Sequence, residues 1–169
     1  VLDSKVDHDI RDKLMSQSTA ENAGLFVNSP ASVRLLIADD QPRVRQSLEA
    51  LLTALRWNTP SRIDIPIEIV GEADSGQQVV DQVNALHPDV VVLDPLTHDS
   101  AHRVLLAEAE LDGLAVIRTI KRQWPVVRVV VLTMYATDRA AVLLAGADAF
   151  LLKGCPTSEL LAAVMPTVR

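Results

Sequence analysis

Five short runs of apolar residues, rich in valine and isoleucine, constrain the fold of this chain more than any other feature. They occupy residues 33–38, 65–70, 90–93, 126–132 and 147–152. Each run is too short for a typical helix and is apolar almost throughout, without alternating polar residues. Continuous apolar strands are typical of a parallel sheet that is covered on both faces. The chain is therefore expected to contain five parallel strands.

Stretches with helical periodicity follow each of these strands. After Ser75, which stands three residues before Gln78 as in a capping box, apolar residues recur at helical spacing up to Leu86. Four further helices are predicted at residues 44–55, 114–124, 137–145 and 157–164. Alternating strands and helices predict a doubly wound α/β domain with helices on both faces and right-handed crossovers. With five strands, the flavodoxin-like order 2-1-3-4-5 is expected.

Residues 1–31 lack this pattern. Residues 16–24 are small and polar, and before them only a weak apolar repeat with a spacing of four is present. We expect residues 1–31 to be a flexible or weakly helical extension and residues 32–169 to form the folded domain. A domain of this length buries a sizeable core without covalent support. A single cysteine, Cys155, excludes an internal disulfide framework.

Charge and hydropathy exclude two classes of function. The chain has 22 acidic and 16 basic residues, a net charge of −6. Because nonspecific nucleic-acid binding needs a basic face, this domain is not expected to bind nucleic acid itself. No apolar run approaches the roughly 20 residues of a membrane-spanning helix, so no membrane association is expected.

Polar side chains stand at the ends of four predicted strands. They are Asp39 and Asp40 after the first, Asp94 after the third, Thr133 at the end of the fourth and Lys153 after the fifth. Functional sites of open α/β sheets lie outside the carboxyl ends of the strands. Carboxylates in this number suit Mg²⁺, and an ammonium group with a hydroxyl suits phosphoryl oxygens. The combination predicts phosphoryl transfer, with a carboxylate as the acceptor.

At this point the sequence resembles the receiver domain of bacterial two-component response regulators, in particular the NarL/LuxR-type subgroup. The resemblance covers about residues 33–166. It is carried, in order, by residues 35–42 (LLIADDQP), 90–94 (VVVLD), 112–113 (DG), 131–136 (VLTMYA), 145–147 (AGA) and 150–153 (FLLK). The resemblance implies a cytoplasmic signalling domain. It further implies that the domain accepts a phosphoryl group and changes conformation to control an output or a partner.

The resemblance assigns the chemistry to particular residues. Asp94 would be the phosphoacceptor, taking the phosphoryl group from a sensor histidine kinase or a phosphotransfer protein. Asp39, Asp40 and Asp94 would hold Mg²⁺ or Mn²⁺, together with the backbone carbonyl of Leu96. Self-phosphorylation from small donors and self-dephosphorylation are activities of the family.

The same resemblance implies a switch. Thr133 and Lys153 would bind the phosphoryl group, and Phe150 stands where the family keeps an aromatic residue that is coupled to the threonine. The surface formed by the fourth helix, the fifth strand and the fifth helix would then shift. In the family this face also mediates dimerisation, so a homodimer through it is expected.

The stretch after Asp94 departs from the family pattern. Pro95 follows at once, and Gly113 comes 19 residues after Asp94, roughly ten residues more than such a loop needs. Residues 95–111 are therefore predicted to be an insertion. Leu96 and Tyr135 stand two residues after the acceptor and the threonine, where the family tunes the access of water. An apolar leucine and a bulky tyrosine predict slow self-dephosphorylation.

Three alternatives stay open at this stage. The first is a degenerate receiver that acts as a phosphorylation-independent interaction module. The second is a phosphatase of the haloacid dehalogenase type, although Leu96 stands where that class needs a second aspartate. The third is a flavodoxin-like cofactor protein, although Asp39 and Asp40 place negative charge where a phosphate would bind.

Overall fold

The computed structural model describes residues 32–58, 66–95, 113–136 and 139–165. The predicted extension over residues 1–31 lies outside the described residues. So does the predicted insertion over residues 95–111, apart from Pro95.

Strands and helices alternate along the described residues. The strands are β1 (Val33–Ala38), β2 (Ile67–Ala73), β3 (Val90–Leu93), β4 (Arg128–Thr133) and β5 (Ala149–Leu152). The helices are α1 (Pro42–Asn58), α2 (Gly76–Leu86), α3 (Gly113–Gln123), α4 (Arg139–Leu144) and α5 (Thr157–Val164). Among these described helices, none is long and apolar enough to cross a membrane.

The strands form one parallel sheet in the order β2-β1-β3-β4-β5. This order confirms the predicted flavodoxin-like topology. In the middle of the sheet, Val91 of β3 lies in register with Leu36 of β1 and Val129 of β4. The central strands are buried on both faces, which explains why they are apolar throughout.

Successive residues of each central strand contribute to cores on opposite faces of the sheet. Leu36 belongs to a cluster that includes residues of α2, α3 and α4. Its neighbours Leu35 and Ile37 belong to a second cluster that includes residues of α1 and α5. Burial of a large aliphatic side chain contributes about 1.5–3 kcal/mol, so both helical layers are held firmly to the sheet.

Three strands differ from their predicted bounds. β5 was predicted from residue 147 but begins at Ala149. β2 is predicted over residues 65–70 but runs over Ile67–Ala73, because this edge strand continues through Gly71 and the charged Glu72. β4 was predicted from residue 126 but begins at Arg128. Val126 lies in a turn and is 91% exposed, so its apolar character does not reflect burial.

The helix ends follow the local chemistry that the sequence indicates. The Ser75 hydroxyl caps α2 and accepts a hydrogen bond from the Gln78 backbone N–H at 3.5 Å, as predicted. Helix α4 has only six residues, fewer than the predicted span over residues 137–145. Shortly after α4, Gly146 has a φ of 110°, a conformation that glycine adopts without strain.

Candidate functional site

The polar residues predicted from the strand ends meet at one edge of the sheet. Backbone hydrogen bonding between neighbouring strands continues one residue beyond their carboxyl ends. The Asp94 N–H, directly after β3, donates to the Ala38 carbonyl at the end of β1 at 2.9 Å. In the same way, the Lys153 N–H donates to the Thr133 carbonyl at 2.8 Å. These bonds hold the residue after each strand in a fixed position relative to its neighbour.

The side chain of Lys153 joins two of the predicted carboxylates. Its Nζ atom lies 2.6 Å from Oδ2 of Asp39 and 2.8 Å from Oδ2 of Asp94. The three side chains are only 13%, 2% and 8% exposed, respectively. Burial by itself would lower the pKa of Lys153, but the hydrogen bonds and charges of both aspartates outweigh it and raise this pKa above its ordinary value. The ammonium group therefore stays protonated between the two carboxylates.

Asp39 is fixed by several protein groups. Its Oδ1 atom accepts a hydrogen bond from the Gln41 N–H at 2.9 Å, while Oδ2 accepts from Lys153. Its own N–H donates to the carbonyl of Ala73 at 3.1 Å. The Asp39 carboxylate is therefore an anchor for this end of the sheet as well as a source of negative charge.

One small cleft brings the predicted carboxylates together. Asp39, Asp40 and Asp94 all line it, together with Asp74 from the segment after β2 and with Gly113 at the start of α3. The cleft lies at the switch point of the sheet, where β1 and β3 are neighbours and their connections run to opposite faces. The sequence prediction that these residues come together is in agreement with this geometry.

Thr133 lies at the end of β4 and is completely buried. Its hydroxyl accepts a hydrogen bond from the Tyr135 N–H at 3.4 Å, whereas the Tyr135 side chain is 50% exposed. On the neighbouring strand, Phe150 is half-buried, and the guanidinium carbon of Arg139 lies 5.9 Å from its ring centre. The cation–π contact links the first residue of α4 to β5. Leu96 lies outside the described residues.

Cys155 lies in a separate cleft on the surface of β5 and α5. The cleft is also lined by Arg139, Phe150, Leu152 and Glu159. Burial and the negative charge of Glu159 raise the pKa of the Cys155 thiol. A raised pKa disfavours the reactive thiolate form.

The chemistry of the cleft residues fits a magnesium ion, although their carboxylates do not form a closed metal centre. Within the described parts of the chain, no three His, Cys, Asp or Glu side chains are grouped in a finished metal-binding arrangement. Mg²⁺ does not require one, because it keeps several waters and needs few carboxylates. Asp39, Asp40 and Asp94, which all line the cleft, provide carboxylates of the kind it needs.

Two residues that support the site, Arg45 and Glu72, are not among those predicted from the sequence. Arg45 of α1 donates from Nη1 to the Asp39 carbonyl at 2.7 Å and from Nε to the Glu72 carboxylate at 2.7 Å. A signal was present, because Arg45 stands three residues before Leu48 and seven before Leu52, on the face of α1 that packs on the sheet. A charged residue on such a face needs a buried partner.

Comparison with known proteins agrees with this geometry. The family model of the response regulator receiver domain matches residues 35–165. The chain belongs to this family. It is therefore a response regulator receiver domain of a two-component system, a signalling domain and not a classical enzyme. This membership decides against the phosphatase and the flavodoxin-like cofactor protein.

The relatives indicate the NarL/LuxR-type subgroup. VraR of Staphylococcus saprophyticus is 28% identical over 137 residues, which cover 80% of this chain and 56% of the relative. VraR of Staphylococcus aureus strain Mu3 is 27% identical over 140 residues, which cover 82% of this chain and 57% of the relative. The chain thus spans little more than half the length of these curated relatives.

Solved structures lead to the same subgroup. The signal receiver domain of the response regulator NarL from Mycobacterium tuberculosis matches with a TM-score of 0.61 and 26% identity, covering 80% of this chain and 94% of that one. The isolated receiver domain of RcsB from Salmonella enterica serovar Typhimurium, solved with the phosphomimetic BeF₃⁻, has a TM-score of 0.60. It covers 79% of this chain and 86% of that one, and at 24% identity it supports the fold alone.

Proposed function

We propose that this domain is a phosphorylation-controlled switch in which Asp94 accepts a phosphoryl group. The donor is a phosphohistidine of a sensor histidine kinase or of a phosphotransfer protein. A carboxylate oxygen of Asp94 forms the new bond to phosphorus as the bond from phosphorus to the histidine nitrogen breaks. We place this exchange in the cytoplasm.

The bridging position of Lys153 is the observation that carries the proposal. Its ammonium group contacts both Asp39 and Asp94 in a mostly buried site. The equatorial oxygens of a phosphoryl group on Asp94 would carry negative charge beside this ammonium group. A fixed positive charge in that position would stabilise the transfer. A lysine that served only as a surface residue would not be held between two buried carboxylates.

Mg²⁺ or Mn²⁺ is the proposed cofactor. Asp39, Asp40 and Asp94 would hold it together with the backbone carbonyl of Leu96. When bound, the cation would neutralise the charge that develops on the phosphoryl oxygens. The anchoring of Asp39 by Gln41 and Lys153 keeps the metal-binding loop ordered.

Thr133 and Phe150 are proposed to carry the response to the surface. The Thr133 hydroxyl, at the end of β4, would donate a hydrogen bond to a phosphoryl oxygen. Phe150 contacts Arg139, the first residue of α4, so a change at the site would alter how α4 packs on β5. The phosphoryl group would favour one of two conformations through contacts made only in that conformation.

The surface formed by α4, β5 and α5 is the proposed homodimer interface. Three of its large hydrophobic side chains are exposed, Leu143, Leu144 and Leu152. Large exposed apolar side chains, two of them adjacent in sequence, are typical of interaction sites. An increase in sedimentation coefficient with beryllofluoride would support the dimer, and an unchanged coefficient would contradict it.

Intact-mass measurement after incubation with acetyl phosphate and Mg²⁺ tests the proposed function directly. We expect the parent chain to gain one phosphoryl group and the Asp94→Asn variant to gain none. A folded parent chain that gains no phosphoryl group would contradict the proposal. It would favour instead a degenerate receiver that acts by binding alone.

A further inference from the structure

We propose that Arg45 is a positioning residue that fixes the loop bearing Asp39 and Asp40 and thereby increases the affinity of the acidic cleft for a divalent cation. This role rests on the metal site of the proposed function. Arg45 does not line the cleft itself, so it would act through the backbone that presents the carboxylates.

The Arg45 guanidinium joins two neighbouring strands. Its Nη1 atom donates to the Asp39 carbonyl, directly after β1, and its Nε atom donates to the carboxylate of Glu72 on β2. Both contacts measure 2.7 Å, and the Arg45 side chain is only 14% exposed. Glu72 lies in register with Ile37 of β1. The planar guanidinium thus holds the end of β1 against the adjacent edge strand, with a geometry that lysine cannot reproduce.

The bond to the Asp39 carbonyl matters because of the peptide to which that oxygen belongs. This peptide links Asp39 to Asp40, and its planarity means that fixing the oxygen also fixes the direction in which the chain enters Asp40. The N–H of Asp39 is held by Ala73, and its side chain by Gln41 and Lys153. Arg45 completes this set at the one backbone group that leads directly to Asp40.

The charge of Arg45 and its positioning contacts lead to opposite predictions for how its loss changes the affinity for Mg²⁺. A positive charge near a cation site opposes cation binding, so removing that charge alone would tighten the binding of Mg²⁺. Removing a positioning contact frees the peptide between Asp39 and Asp40 and would weaken the binding of Mg²⁺. The direction of the change therefore separates the two roles.

Titration of the ¹⁵N-labelled full chain with MgCl₂, followed by amide chemical shifts, measures this affinity and the fold together. We expect Arg45→Met to raise the dissociation constant of Mg²⁺ about tenfold, the range seen when groups that orient metal ligands are removed. Arg45→Lys keeps the charge but loses the planar fork, so we expect a smaller increase. Arg43→Met is the matched control, because it removes the same charge from an exposed position of α1 and should not weaken binding.

Each outcome is informative. Unchanged or tighter Mg²⁺ binding by Arg45→Met would overturn the positioning role, and so would equal weakening by Arg43→Met. If Arg45→Met fails to fold, Arg45→Lys decides, since parent-like affinity in that variant overturns the role. A parent chain whose amide shifts do not respond to MgCl₂ would instead overturn the metal site itself.

Discussion

The ammonium nitrogen of Lys153 lies 2.8 Å from the Oδ2 atom of Asp94. The proposed phosphoacceptor is therefore in direct contact with the lysine that is proposed to bind the phosphoryl group. Asp94 follows β3, and Lys153 follows β5. Because β4 separates these strands in the sheet, the contact spans the width of one strand. The register of three strands therefore determines the distance between the two groups.

Loss of the Lys153 charge should destabilise the domain in a way that Mg²⁺ reverses. Lys153→Met leaves the carboxylates of Asp39 and Asp94 together without their cation, and breaking such a buried pair costs about 3 kcal/mol. Since Mg²⁺ brings positive charge to the same cleft, it should restore part of that loss. Urea unfolding with and without MgCl₂ measures the difference.

Lys121→Met is the control for this experiment. Lys121 pairs with Asp148 at 2.9 Å. Asp148 directly precedes β5, so this pair lies at the amino ends of the strands, whereas Lys153 lies at their carboxyl ends. Because the Lys121 ammonium group also donates to the Val127 carbonyl, the loss of this partly exposed group should cost about 1–2 kcal/mol, and Mg²⁺ should not restore it. Equal Mg²⁺ effects on both variants would mean that the cation does not bind near Lys153.

The sheet order and the meeting of the strand-end residues could be predicted because both depend on local pattern. Apolar runs indicate buried strands, and parallel strands place Asp39, Asp94, Thr133 and Lys153 at one edge. The bounds of β2 were less predictable, because an edge strand tolerates polar residues such as Glu72. Its sequence therefore lacks the continuous apolar signal of the central strands.

The sequence places Arg45 on the buried face of α1, but the partners that it contacts could not be predicted. They depend on which helix turn faces the end of β1 and on the register between β1 and β2. That register shifts between Leu35 and Leu36, and no residue pattern signals the shift. Periodicity predicts the face of a helix, but it does not identify the partner of one polar group on that face.

Tyr135→Ala should accelerate loss of the phosphoryl group from Asp94. The Tyr135 backbone N–H donates a hydrogen bond to the hydroxyl of Thr133, which is proposed to bind the phosphoryl group. The bulky side chain of Tyr135 is therefore attached close to the proposed site. Removing that side chain should let water approach, and the half-life of the phosphorylated chain should shorten several-fold. Phosphate release after donor removal measures this half-life. An unchanged half-life in Tyr135→Ala and in Leu96→Asn would contradict slow dephosphorylation through these two residues.

Cys155 should react slowly with iodoacetamide at pH 8. Burial and the charge of Glu159 raise its pKa above the ordinary value of 9.0, so less thiolate is present than in a model peptide. Glu159→Gln removes one of these causes, lowers the pKa and should therefore increase the alkylation rate. Glu68→Gln makes the same charge change on β2, which is the outer strand on the side of the sheet opposite β5. This variant should leave the rate unchanged. A rate in Glu159→Gln no higher than in the parent would contradict this account.

Gly113→Ala should destabilise the domain, contrary to helix propensity. A Cβ atom on Gly113 would lie within 2.5 Å of the carbonyl oxygen and the Cα of Pro95, and backbone atoms cannot move aside cheaply. Crowding of this kind costs about 1–3 kcal/mol, whereas alanine in an open helix would stabilise by about 0.5–1 kcal/mol. Urea unfolding gives the sign, and a more stable variant would disprove the contact.

Because Pro95 lies so close to Gly113, we expect that the insertion predicted at residues 95–111 can be shortened. The 17 residues between them connect two positions that already touch, so a four-residue Gly-Ser linker in place of residues 97–111 spans the same ends. The shorter loop loses less entropy on closure, and the free energy of unfolding should rise by about 1 kcal/mol.

Phosphorylation of Asp94 should persist in this shortened chain, since the other proposed site residues lie outside the replaced stretch. Intact mass after incubation with acetyl phosphate checks the chemistry, and urea unfolding checks the fold. A stable shortened chain that no longer gains a phosphoryl group would show that residues 97–111 contribute to the site.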